Sequence, residues 1–153
     1  MKNFVYILLI LFVAVFITAC TNNQTANSNS AFASQNIEVQ NMNIKINNKD
    51  YSIILENNET VKALTEKLPM TINMSELNGN EKYYYLSDSL PQKSENIGTV
   101  KTGDIMLFGD NCLVIFYKSF KTSYRYTKIG HIENNSELEK VLGKGSIEVT
   151  ITK

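Results

Sequence analysis

The residues that could perform acid–base, thiol or metal chemistry are few in this sequence and do not form a group. His131 is the only histidine, and Cys112 lies in the apolar run CLVIFY. A protein metal site needs several imidazole, thiolate or carboxylate ligands, and the spacing singles out no carboxylate partner for His131. Asp104 and Asp110 flank a single predicted strand, where aspartate is a common turn former. We therefore predict a hydrogen-bonded histidine, a buried cysteine, and no catalytic residue, metal or cofactor.

Aromatic side chains could instead support recognition of an apolar ligand. The three consecutive tyrosines at 83–85 must point alternately to the two faces of a strand, so at least one lies outside the core. A second aromatic group follows at 116–126. These rings either fill the core and shield its rim, or they form an apolar groove with tyrosine hydroxyls for an extended peptide or a small ligand. The predicted groove residues are Tyr84, Phe108, Phe116 and Tyr126.

The N-terminal segment could carry a covalent modification. An apolar run of 14 residues at 4–17 is shorter than the roughly 20 residues of a transmembrane helix but is typical of a signal peptide. It ends in residues 17–20 (ITAC), which resemble the lipobox of bacterial lipoproteins. That resemblance implies cleavage before Cys20 and attachment of lipid to this residue. We predict a signal peptide at 1–19, a lipidated cysteine with a disordered polar tether at 20–41, and a folded domain at 42–153.

The leader also predicts the location of the protein. A lipidated N-terminus would hold the domain at the cell membrane on its extracytoplasmic face, either periplasmic or at the cell surface, with the membrane itself as a partner. The whole chain has 15 basic and 15 acidic residues. This balance gives no electrostatic reason to expect nucleic-acid binding.

Apolar–polar alternation predicts the elements that position these residues. One short helix is predicted to begin at an N-cap of Asn57 or Asn58 and to end at Pro69, and a second is predicted at 137–142. Alternating or continuous apolar runs predict strands. These lie at 42–46, 51–55, 70–74, 82–86, 105–108, 112–117, 124–132 and 145–152, with a further edge segment at 97–101.

The ratio of strands to helices predicts the architecture. Parallel strands need crossover connections, and two short helices are too few to supply them among about eight strands. An antiparallel sheet of this size with little helix to cover it is expected to close into a barrel. We therefore predict a mainly β domain.

Several phrases in this order of elements resemble the bacterial cyclophilin-like family. The resemblance covers residues 42–153 and implies a closed eight-stranded antiparallel β-barrel capped by two short helices. The matching segments are Leu68-Pro69, 77–79 (LNG), 81–85 (EKYYY), 103–108 (GDIMLF), 113–117 (LVIFY) and 126–132 (YTKIGHI).

The same resemblance raises the question of prolyl isomerisation, whose uncatalysed barrier is about 18–20 kcal/mol. Cyclophilins use an arginine at the prolyl amide, followed closely by a Phe-Met-x-Gln stretch. Here Arg125 is the only arginine, it lies on another strand, and nothing in 81–96 matches that stretch. Tyr126 falls near the position of a cyclophilin pocket histidine. No catalytic residue is carried over from the family.

These observations predict a membrane-anchored, extracytoplasmic domain that acts as a non-catalytic module binding a peptide or a small ligand. The alternative is a divergent, weak peptidyl-prolyl isomerase that assists the folding of exported proteins. A shared fold does not decide between them.

Overall fold

The computed structural model describes residues 41–153. The predicted signal peptide, Cys20 and nearly all of the predicted tether lie outside this range. Within it, the strands are β1 (Met42–Ile46), β2 (Lys49–Leu55), β3 (Met70–Leu77), β4 (Glu81–Tyr85), β5 (Glu95–Asn96), β6 (Thr99–Val100), β7 (Asp104–Phe108), β8 (Cys112–Phe116), β9 (Phe120–Lys121), β10 (Arg125–Ile132) and β11 (Ile147–Thr152). The helices are α1 (Glu59–Thr65) and α2 (Leu138–Leu142), and a 3₁₀ turn at Asn135–Glu137 precedes α2. Neither of these helices is long and apolar enough to cross a bilayer.

The first hairpin forms because its turn residues tolerate a left-handed backbone. Asn47 and Asn48 have φ values of 48° and 63°, and asparagine adopts this region more readily than most residues. This two-residue turn pairs Ile46 with Lys49, a geometry that suits the twist of the two strands. The apolar side chains of β1, including Ile44 and Ile46, are fully buried, so the alternation predicted for this segment is confirmed.

Helix α1 begins where the sequence places a cap. The Asn58 side chain accepts a hydrogen bond from the backbone N–H of Val61 at 2.9 Å, which satisfies a donor that the helix itself leaves unpaired. The Asn58 Nδ2 donates to the carbonyl of Lys128 at 2.9 Å, so the same side chain ties the helix to β10. The helix ends at Thr65, earlier than the predicted end at Pro69.

The closed eight-stranded antiparallel barrel is confirmed. Its strand order is β2-β1-β11-β3-β4-β8-β7-β10, and β10 returns to pair with β2. A glycine permits this closure: a Cβ at Gly130 would lie 2.5 Å from the carbonyl oxygen of Ile54 on β2. The register of β10 against β7 also shifts between Lys128 and Gly130, and such a bulge bends the strand toward its new partner.

Two apolar layers pack on opposite sides of the barrel wall. The interior layer contains the inward-facing strand residues together with Val61 and Leu64 of α1 and Leu138 and Leu142 of α2. An outer layer covers part of the barrel's exterior, where the small β6–β9 sheet and its loops pack over the wall. Its buried members are Val100, Met106, Cys112, Val114, Phe116 and Tyr126.

The outer layer explains why strands β7 and β8 are continuous apolar runs in the sequence. All five residues of β8 are buried, as are the three central residues of β7. A strand covered on both faces loses the polar alternation of a half-exposed strand. The cover itself was only partly predicted. Strand β6 occupies two residues of the edge segment predicted at 97–101, and β5 lies outside all the predicted strands.

Candidate ligand-binding cavity

An open cavity of about 430 Å³ lies on the exterior of the barrel wall, beside the outer apolar layer. Its size falls in the usual range for small-molecule sites, about 300–1,000 Å³. The polar lining consists of Asn78, Asn80 and Glu81, and the aliphatic and sulfur lining of Leu77, Cys112 and Val114. The aromatic lining consists of Tyr83, Tyr85, Phe108, Phe120, Tyr124 and Tyr126.

Strand β4 supplies one wall of the cavity through its alternation. Glu81, Tyr83 and Tyr85 share the outward face because side chains two residues apart point to the same side of a strand. In the pairing with β8, Tyr83 lies opposite Val114 and Tyr85 lies opposite Cys112. The outward side chains of two adjacent strands therefore form one continuous surface.

Aromatic contacts join the far wall into a single network. The Phe108 ring lies 5.5 Å from the Tyr126 ring and 5.9 Å from the Tyr124 ring, measured between centroids. Phe116 lies 5.5 Å from Tyr126 and 5.7 Å from Phe120. Tyr126 is buried, whereas Tyr124 is 63% exposed and Phe108 43% exposed. The cavity thus has a packed floor and an exposed aromatic rim.

The four groove residues predicted from sequence are only partly brought together. Phe108 and Tyr126 line the cavity. Phe116 lies beneath it, fully buried against Tyr126 and Phe120. Tyr84 is placed differently: it faces the barrel interior and packs against the main core. Its two neighbours in the tyrosine triplet line the cavity instead, because alternation puts them on the opposite face.

Glu81 is the chemically distinctive residue of the cavity, and the sequence analysis missed it. The side chain is only 8% exposed, and no group within residues 41–153 donates a hydrogen bond to its carboxylate or pairs with it. Burial, and secondarily the nearby Glu76 carboxylate, raise its pKa. The available signal was its spacing, since Glu81 is two and four residues from the outward-facing tyrosines.

The charge of Glu81 acts on its neighbours in the cavity. Burial, with a contribution from Glu81, raises the pKa of Tyr126 to about 12. The same two causes raise the pKa of the Cys112 thiol, which makes it a poor nucleophile at neutral pH. The burial predicted for Cys112 is confirmed.

On the opposite face of β4, Lys82 is fully buried and fully engaged. Its Nζ donates to the Glu76 carboxylate and to the carbonyls of Gly143 and Gly145, the latter two at 3.1 and 2.6 Å. Glu76 also accepts from the Tyr117 hydroxyl. Burial opposes ionisation of Glu76, but the hydrogen bonds from Lys82 and Tyr117 lower its pKa overall. This network ties the β3–β4 hairpin to the segment after α2, and it is structural.

The other polar candidates are engaged outside the cavity. The Nδ1 of His131 lies 2.9 Å from Asp104 Oδ1, and its Nε2 lies 2.9 Å from Asn135 Nδ2, which confirms a hydrogen-bonded histidine. The Oδ2 of Asp110 accepts from the Ser89 hydroxyl at 2.8 Å. In residues 41–153, no three His, Cys, Asp or Glu side chains are grouped closely enough to hold a metal ion.

The single arginine also lies away from the cavity lining. Arg125 Nη2 donates to the carbonyl of Ser94 at 2.6 Å. Its guanidinium therefore fixes the loop before β5 and does not join the aromatic surface.

Comparison with known proteins agrees with this architecture. A family model described as the cyclophilin-like family matches residues 44–152. A hypothetical protein from Archaeoglobus fulgidus, whose structure was determined in solution, superimposes with a TM-score of 0.56 at 18% identity, covering 73% of this chain and 92% of the other. At this identity the likeness concerns the fold. Among curated proteins no significant match is found.

Proposed function

Because the chain belongs to the cyclophilin-like family, we propose that it is a non-catalytic member that binds an extended peptide or a small ligand in the exterior aromatic cavity. One observation carries this proposal: six aromatic side chains converge on an open cavity of about 430 Å³. Aromatic rings offer large contact areas at low entropic cost, and tyrosine hydroxyls add polar contacts at the rim.

The leader sequence supports a place of action for this binding. With a lipidated Cys20, the domain would present its cavity outside the cytoplasm, close to the membrane surface. Globomycin-sensitive processing and metabolic labelling with a radioactive fatty acid would test this. Loss of the label in Cys20→Ala is expected, and a label that persists in this variant would contradict the anchor.

Ligand binding can be tested on the purified full-length chain in detergent. The chain contains no tryptophan, so its emission comes from tyrosine, and four tyrosines line the cavity. Titration with a library of proline-containing peptides is expected to change this emission. No response at millimolar peptide would contradict peptide binding, and a fragment library then tests small ligands by NMR shifts.

A matched pair of variants assigns such binding to the cavity. Phe108→Ala removes an exposed ring from the rim and is expected to weaken binding about tenfold. Ile54→Ala removes an exposed apolar side chain, 59% accessible, outside the cavity lining. Equal effects of the two substitutions would mean that the ligand binds elsewhere.

A coupled peptide assay separates this proposal from weak isomerase activity. No arginine lines the cavity, so we expect isomerisation at the uncatalysed rate. A rate enhancement that Phe108→Ala abolishes would favour the isomerase.

A further inference from the structure

The polar end of the cavity contains two acceptor groups that receive no hydrogen bond from residues 41–153. Glu81 is more than nine-tenths buried and lacks a partner in the described range. Asn80, the preceding residue, also lines the cavity, and its buried Oδ1 has no hydrogen-bonding partner there either. Buried acceptors are nearly always satisfied in folded proteins. The Asn80 oxygen is enclosed by protein atoms, so the Glu81 carboxylate is the acceptor that an entering ligand can reach and supply with a donor.

The cation next to Glu81 in the sequence does not neutralise it. Lys82 follows it in sequence but projects to the other face of β4, where Glu76 and two carbonyls use its ammonium group. Glu76, although paired, adds negative potential at Glu81 and raises its pKa further. The cavity therefore presents negative charge to an entering ligand.

The aromatic lining favours the same kind of ligand. The face of a tyrosine or phenylalanine ring is electronegative and attracts a cation within about 6 Å of its centroid. Tyr83 lies on the same strand face as Glu81, and Tyr126 lies close enough that the Glu81 charge contributes to its raised pKa. A ligand that carries positive charge on an apolar chain would match both features at once.

We propose that the cavity binds a primary ammonium group carried by an apolar chain, with Glu81 as its counter-ion and the aromatic rings as the receptor for the chain. A primary ammonium offers three N–H donors, enough for both oxygens of the Glu81 carboxylate. This inference rests on the proposed binding function and specifies the class of ligand. A free amine and the side chain of a lysine peptide share this chemistry.

The test compares matched probes on the full-length chain by NMR shifts and tyrosine emission at pH 7.5. Hexylammonium is expected to bind at least about tenfold more tightly than 1-hexanol, because the alcohol can donate a hydrogen bond to the carboxylate but brings no positive charge to pair with it. In Glu81→Gln this preference is expected to fall to about twofold or less. Glu133→Gln, which removes an exposed carboxylate, is expected to leave the preference unchanged.

A second comparison identifies the source of the ammonium group. Binding of hexylammonium without binding of N-acetyl-lysine amide assigns a free amine, whereas comparable binding of both assigns a lysine side chain. Either result supports the inference.

The results that would contradict ammonium binding differ from those that would contradict the proposed binding function. If hexanol and hexylammonium bind equally and Glu81→Gln changes neither, the cavity binds ligands but not cations, and the inference is wrong. If no probe or peptide shifts the cavity resonances, the proposed binding function itself is wrong. Near-ultraviolet circular dichroism of Glu81→Gln verifies that the variant is folded in each case.

Discussion

The two carboxylates beside the β3–β4 turn occupy opposite electrostatic situations. Glu76 accepts hydrogen bonds from Lys82, from the Tyr117 hydroxyl and from the backbone N–H of Gly79. Glu81 has no such partner in residues 41–153, although it is the more buried of the two. Fully satisfied polar groups rigidify a fold, while unsatisfied ones destabilise it. The contacts of Glu76 are structural, whereas Glu81 would gain its partner only from the ammonium ligand proposed above.

The largest effect is expected from breaking the satisfied network. Lys82→Met removes the cation while keeping an apolar stem of similar length, and it leaves Glu76 and two carbonyls without their donor. We expect a loss of about 3 kcal/mol in the free energy of unfolding, which is the typical cost of removing one partner of a buried ion pair. Urea denaturation measures this.

An exposed ion pair provides the control for Lys82→Met. Lys67 and Asp88 pair at 2.8 Å at the surface, so Lys67→Met is expected to cost less than about 1 kcal/mol. Similar losses in the two variants would contradict the special role of the buried network.

Removal of the unpaired carboxylate should raise the stability, in contrast to the loss expected for Lys82→Met. Glu81→Gln removes a buried charge that lacks a partner, so we expect the free energy of unfolding at pH 7 to rise by about 1 kcal/mol. The gain in stability would accompany the loss of ammonium binding, which is the trade-off expected of a functional site. A destabilised Glu81→Gln would mean that Glu81 has a structural partner.

The pH dependence should separate the two carboxylates by sign. The pKa of Glu81 is raised in the folded state, so its ionisation destabilises the fold, and stability returns as the pH falls from neutral through that raised pKa toward 4.5. The pKa of Glu76 is lowered, so its contribution is present above 4.5 and is lost as the pH falls through the folded-state pKa.

Denaturation midpoints between pH 3 and pH 7.5 check this prediction. The stability advantage of Glu81→Gln over the wild type should disappear on acidification. The stability deficit of Glu76→Gln should shrink only below pH 4.5. Parallel pH profiles for the two variants would contradict the opposite pKa shifts of Glu81 and Glu76.

The smallest effect on stability is expected at the rim of the cavity. Tyr124 is 63% exposed, and truncation of such a surface side chain usually changes stability by no more than about 0.5 kcal/mol. Tyr124→Ala should nevertheless weaken the binding of hexylammonium, since the Tyr124 ring lines the cavity and packs against Phe108. Calorimetric titration beside a thermal melt measures both quantities, and unchanged affinity would remove Tyr124 from the site.

The barrel was largely predictable because its information is local. Alternation marks β1, β3 and β11, paired asparagines mark the first turn, and Asn58 marks the start of α1. The exterior cover was less predictable, because β5, β6 and β9 are two residues each and carry no period. Their pairing depends on the barrel being present to receive them.

The sequence by itself determined that the strand predicted at 82–86 has two faces, one with Tyr83 and Tyr85 and the other with Lys82 and Tyr84. In the structure β4 begins one residue earlier, which places Glu81 on the first of these faces. Only the tertiary structure decided which face turns inward and which residues each face contacts. The reason is that apolar–polar alternation has the same period on both faces, whereas burial depends on residues distant in sequence. For example, the carbonyls of Gly143 and Gly145 accept hydrogen bonds from Lys82. No comparable donor reaches Glu81 from the rest of residues 41–153, and that difference creates the candidate site.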